Sequence, residues 1–146
     1  MAETLGMLCD KLTIVKLKQF HTEDAVRLES LNIQANALQQ EIDQYISDAV
    51  NGKISTDKLI FAANKVFKKD GNEVKEVKGN IAEVFYQLAG VNCRLWHEQE
   101  KVYEFEKVPP FEKDAVVKQL ALLNLERTKC IDSINQQLAD LVRKNN

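Results

Sequence analysis

Leu28, Leu31, Ala35, Leu38, Ile42, Tyr45 and Ala49 follow one another at alternating steps of three and four. Such steps return to one side of an α-helix, so these residues form a narrow apolar seam of the heptad kind. A helix marked this way cannot bury its seam alone, and the chain must supply other helices to cover it. The segment is predicted to start after His21-Thr22-Glu23-Asp24, with Thr22 as N-cap, and to run to about Val50. Asn51-Gly52 stops it. At 1.5 Å per residue it is about 40 Å long.

Three further segments carry the same signature. Residues 3–20 read as a helix capped by Thr4, with Leu5, Leu8, Leu12 and Val15 on one stripe. A helix from Ile81 to about Lys107 has the seam Ile81, Phe85, Leu88, Asn92, Leu95, Gln99 and Val102. Pro109-Pro110 turns the chain. A last helix over about Glu112 to Arg143 follows, with the seam Val117, Leu120, Asn124, Arg127, Ile131, Ile134, Leu138 and Leu141. A shorter helix is predicted over 55–69, and 71–80 reads as a charged loop with a short extended piece at 74–77. With five Gly, two Pro and many helix formers in 146 residues, the expected fold is all-α. It is an up-and-down bundle of four main helices plus one short helix, in one domain over 1–146.

Charge narrows the function classes. The net charge is −2, without the strong basic face of a nucleic-acid binder. Residues 51–78 carry seven Lys against four acids, which reads first as a solvated face and second as a site for an anionic partner. Cys9, Cys93 and Cys130 are odd in number and far apart in apolar surroundings, so three reduced, buried thiols are expected. The opening residues do not resemble a signal peptide, and no apolar run suits a membrane span. The expected location is the cytoplasm.

The chemical interest lies where polar residues interrupt the seams. Arg127 carries five donors and a permanent charge, so burial demands a carboxylate or water nearby. Asp10, Glu98 and Glu100 are the candidates from mid-helix positions. The expected cluster joins Asp10, Asn92, Glu98 or Glu100, Asn124 and Arg127, with Trp96 as its apolar wall. Three readings stay open: the polar residues fix helix register, the seam is rotated and Arg127 reaches solvent, or the cluster binds a ligand.

Other constellations fail. Cys93 and His97 are one turn apart, but no second ligand pair accompanies them, so no metal site is expected. His97-Glu98 lacks the second His of a zincin helix, since residue 101 is Lys. Glu-x-x-His does not occur, which removes a di-iron bundle. Gly52, Gly71 and Gly79 read as turns, and there is no Gly-rich phosphate loop. No cofactor is expected.

Three short motifs carry a resemblance. Asp10-Lys11-Leu12-Thr13-Ile14 continues to Leu17-Lys18 as D-K-L-[ST]-I-x-x-[IL]-K; Asn92 to Trp96 reads N-x-x-L-W; Leu123 to Arg127 reads L-N-x-x-R. Together they resemble an uncharacterised bacterial family of helical domains of unknown function. Members of similar families occur beside or fused to glycosyltransferase-like proteins of cell-envelope polysaccharide synthesis. There the tryptophan motif tends to continue L-W-x-x-E-D-x-x-R, whereas this chain has Gln99, Glu100 and Tyr103 at those places. The resemblance singles out Asp10, Lys11, Asn92, Trp96, Asn124 and Arg127.

The expected function is that of a non-catalytic module that binds a protein partner or itself. The alternative is a small-ligand or transferase-related site in which Arg127 and Lys11 hold an anionic, sugar-linked substrate.

Overall fold

The computed structural model describes residues 3–61 and 76–145. Four α-helices dominate: α1 (Leu5–His21), α2 (Ala25–Val50), α3 (Ile81–Tyr103) and α4 (Pro110–Lys144). Two short 3-10 turns, Thr56–Lys58 and Phe105–Lys107, lie between them. Among the described residues there is no strand.

The helix ends follow local chemistry. Thr4 caps α1 by accepting from the Met7 N–H. The second cap corrects the expected one: Asp24, not Thr22, accepts from the Val26 and Arg27 N–H groups and opens α2. Thr22 instead follows α1 as its C-cap, with extended backbone. Asn80 and Glu83 form a reciprocal capping box at α3. Pro110 suits the first turn of α4, where its missing N–H costs nothing. Gly52 closes α2 with φ +75°, a conformation that a side chain disfavours.

The third helix ends at Tyr103, short of the expected Lys107, because the chain tightens into the Phe105–Lys107 turn before Pro109. Of the stretch expected as a helix over 55–69, the described residues show only the Thr56–Lys58 turn, followed by the buried Leu59. Residues 62–69, the stop expected at Asp70-Gly71-Asn72, and part of the extended piece lie outside the described residues.

One buried cluster shows the topology. It gathers Leu5 from the start of α1, Ala49 from the end of α2, Val84 and Leu88 from the start of α3, and Ile134, Leu138 and Val142 from the end of α4. Starts and ends alternate at the same pole, so the helices run up, down, up, down. A second cluster joins Val15 of α1 to Leu31 and Ala35 of α2, with Leu12 and Leu38 against it. The α2 seam therefore faces inward as its spacing requires.

The α4 seam is rotated from the expected one. Val116, Leu123, Cys130 and Val142 are buried, whereas Val117, Asn124 and Leu141 are exposed. Ile134 and Leu138 belong to both stripes and are buried.

The first helix is held unusually close to α4 at Gly6. A Cβ there would collide with the Ile131 carbonyl oxygen and stand 2.9 Å from Asn135 Oδ1. The Gly6 N–H, an orphan donor of the first turn, donates to Asn135 Oδ1 at 2.7 Å in a buried setting.

Candidate functional site

Residue 10 stands on the face of α1 that meets α3 and α4, and its carboxylate collects donors from both. Asp10 is 5% exposed. Arg127 Nε of α4 donates to Asp10 Oδ1 at 2.8 Å, and its Nη2 donates to Oδ2. This is the two-pronged arrangement that a planar guanidinium favours. Asn92 Nδ2 of α3 donates to the same Oδ1 at 2.9 Å and to Thr13 Oγ1 at 2.7 Å. The Thr13 hydroxyl in turn donates to the Asp10 carbonyl at 2.7 Å. Asp10, Thr13, Asn92 and Arg127 thus form one hydrogen-bonded cluster that ties three helices at a single height.

Hydrogen bonding and burial oppose each other at Arg127. The hydrogen bonds that Arg127 donates to Asp10 push its pKa up from its already high value, while partial burial works against them. Two thiols flank the cluster. Burial, with the charge of Asp10 beside it, raises Cys9 to about 12. Burial, then Glu126, raises Cys130 to about 11. Both are free and buried. Cys93 is free but exposed, which corrects the expectation that all three thiols are buried.

The structure leaves several expected members outside. Asn124 is exposed because the α4 seam turns Leu123 inward in its place. Lys11 is exposed and pairs with Glu3, as follows from its step of about 100° around α1 from Asp10. Glu98 pairs with Lys101 at 3.0 Å on its own helix, and Glu100 is exposed. Asp10 is therefore the carboxylate that meets Arg127. Trp96 is half-buried and stacks on His21, with ring centroids 4.8 Å apart and planes 8° from parallel. Thr13 is the member that sequence reasoning missed. Its position three residues after Asp10, on the same side of α1, was the available signal.

The cluster adjoins a groove of about 840 Å³ between α1, α2 and α3. Thr13 lies in its lining. Leu12, Leu17 and Phe20 of α1, Ala35 of α2, and Phe85 and Ala89 of α3 make it largely apolar. Gln19, Asn32, Asn36 and Gln39 add amides, and Gln19 Nε2 donates to Asn32 Oδ1 at 2.7 Å across the α1–α2 side. Lys16 is the one charged residue in the lining among the described residues. The groove exists because α2 packs chiefly on α1 and stands away from α3.

Among the described residues, no group of three or more His, Cys, Asp or Glu side chains could hold a metal ion. No described helix is long and apolar enough to cross a membrane. Compared with known proteins, the chain matches no family model, no curated protein and no solved structure.

Proposed function

We propose that this chain is a non-catalytic helical interaction module. Its Asp10–Arg127 cluster is the clasp that fixes helix register, and its α1–α2–α3 groove is the binding element. The observation that carries this reading is the contrast between the two features. The carboxylate of Asp10 is engaged by its own neighbours, Asn92 and Arg127. The groove is open and mainly apolar.

The occupant that fits is an amphipathic helix from a partner protein, bearing an acidic residue. From Leu12 to Phe20 the groove floor runs about 12 Å, or two helical turns. Lys16 supplies the charge to meet that acid, and the amides of Asn36 and Gln39 supply hydrogen bonds at the rim. The resemblance described above extends the proposal to a place beside bacterial cell-envelope polysaccharide synthesis. Three free thiols support a cytoplasmic setting.

A displayed library of amphipathic helices, panned against the wild type and Ala89→Glu, tests the module. Acidic amphipathic sequences should enrich on the wild type alone and shield Cys93, which borders the groove, from maleimide. Failure of any helix to enrich would overturn it.

A second reading rests on the exposure of the Arg127 side chain, which is 33%. In this reading the guanidinium meets a small anion at the cluster's open edge, without Lys11. A thermal-shift panel of metals, nucleotides, nucleotide sugars and simple anions separates the two. A shift present in the wild type and lost in Arg127→Leu would make the cluster a binding site.

A further inference from the structure

The third helix has two contrasting sides. Val84, Leu88, Val91 and Asn92 are buried against the rest of the bundle. On the other side Ala82, Tyr86, Gly90, Cys93 and His97 recur at steps of four, four, three and four, and all are exposed. None is an acid, Lys or Arg over about four turns. Tyr86 is 83% exposed. Steps of three and four are those of a packing seam; among the described residues His97 meets the His21 ring at one end, Cys93 borders the α1–α2–α3 groove, and Ala82, Tyr86 and Gly90 stand exposed.

Gly90 is the informative residue. It sits mid-helix, where glycine is less favourable than alanine. At Gly6 the close approach of α4 explains the missing side chain; at Gly90 a Cβ would meet nothing within 4 Å. Its backbone has no positive φ to require glycine either. Among the described residues nothing uses the absent side chain, so the bare backbone suits close contact from outside.

We propose that this face of α3 is the interface of a two-fold dimer, in which α3 crosses its copy antiparallel at Gly90. The partner is a second copy of this chain because the face is self-complementary. A two-fold axis at Gly90 sets glycine against glycine and carries the Tyr86 ring of each copy toward the small Cys93 of the other. Charge sets the direction. Glu83 stands in the first turn of α3, while Arg94 and Lys101 lie toward its end. These three share one flank of the seam, at steps of eleven and seven. Antiparallel pairing brings each Glu83 to the height of residue 97 in the copy, between Arg94 and Lys101. Parallel pairing would carry the two copies of this flank to opposite edges of the seam, where Glu83 meets neither Arg94 nor Lys101. Arg94 and Lys101 have partners of their own in Glu126 and Glu98, but both pairs are solvent-accessible and can reorganise. The interface is isologous, as a two-fold axis requires.

This deepens the interaction-module reading by naming a partner, and rests on it in taking exposed helix faces as binding faces. Sedimentation equilibrium of the full chain should give a dimer that dissociates on dilution. Gly90→Arg has room within the fold, so it should keep the helical circular dichroism and the melting transition while becoming monomeric. Lys101→Glu should weaken the dimer, and adding Glu83→Lys should restore it. Cys93 should react more slowly with maleimide as wild-type concentration rises, and at a constant rate in Gly90→Arg. A wild type that stays monomeric at all concentrations overturns the proposal, as does a dimer that Gly90→Arg leaves intact. Helix panning at the groove is read separately. A monomer that still captures helices sinks the dimer alone, and a folded Gly90→Arg monomer that captures none, when the wild type dimerises, sinks the groove alone.

Discussion

Replacing Arg127 by leucine should cost the fold more than replacing Asp10 by alanine. Arg127→Leu leaves the Asp10 carboxylate in place, with its side chain 7% exposed and one donor, Asn92, where three hydrogen bonds stood. Stripping one partner from a buried ion pair costs about 3–5 kcal/mol. Asp10→Ala leaves the guanidinium instead. Because the Arg127 side chain is already one-third exposed, it can swing into water, and Asn92 keeps Thr13 as an acceptor. The remaining cost is the lost charge-assisted hydrogen bonds, about 2 kcal/mol. The double variant strands no charge, so it should be no worse than Arg127→Leu alone, giving a coupling energy of about 2 kcal/mol. Urea titration followed by circular dichroism measures this. With a slope of about 2 kcal/mol/M, the midpoint should fall by roughly 2 M for Arg127→Leu and roughly 1 M for Asp10→Ala. Equal costs, a reversed order or simple additivity would refute the claim that these two residues form a buried clasp with one wet end.

Three further outcomes are expected. Gly6→Ala should destabilise by about 2–4 kcal/mol in the same titration, since the new Cβ drives against the Ile131 carbonyl and α1 must retreat from α4. Asn135→Ala should cost about 1–3 kcal/mol by orphaning the Gly6 N–H. Stability should also fall at alkaline pH. Cys9 and Cys130 ionise at about 12 and about 11 in the fold, above their ordinary value of 9.0, so the unfolded chain gives up these protons first. Their contribution is whole below pH 9 and is lost as pH rises to 11–12; melting temperatures of the wild type and of Cys9→Ala across pH 8–11 check the sign, the variant showing the shallower decline.

Legibility differed between helices for a physical reason. The α2 seam keeps an unbroken step of three and four from Leu28 to Ala49, and polar residues such as Ser30, Asn32, Glu41 and Asp43 flank its Leu31 and Ile42. That stripe is the one the structure turns inward, with Leu31, Ala35 and Ala49 buried and Leu28, Leu38, Ile42 and Tyr45 half-buried. The α4 sequence instead offers adjacent apolar pairs, Val116 with Val117, Leu122 with Leu123, Cys130 with Ile131, and Leu141 with Val142. Two stripes about 100° apart then satisfy the same spacing, and only contact with α1 and α3 chooses between them. The choice is testable by truncation: Val116→Ala should cost about 2 kcal/mol, and Val117→Ala should stay within about 0.5 kcal/mol.

Arg127 was legible because it sits on both candidate stripes, so the rotation moved Asn124 out and left Arg127 at the seam's edge. Its partner could be narrowed by valence but not named, since Asp10, Glu98 and Glu100 all lay mid-helix. The structure discriminates through helix heights, which depend on how far α1 slides along α4. That slide is set at Gly6, where the missing Cβ lets Asn135 reach the α1 backbone. Asn135 and Arg127 stand eight residues apart on α4, and Gly6 and Asp10 stand four apart on α1, so the two contacts fix both the spacing and the tilt of the pair. A shift of one turn at Gly6 would move Asp10 about 5 Å along α4 and out of reach of the guanidinium. The glycine and the ion pair are therefore one registration device. A variant that loosens the first should lower the coupling energy measured at the second.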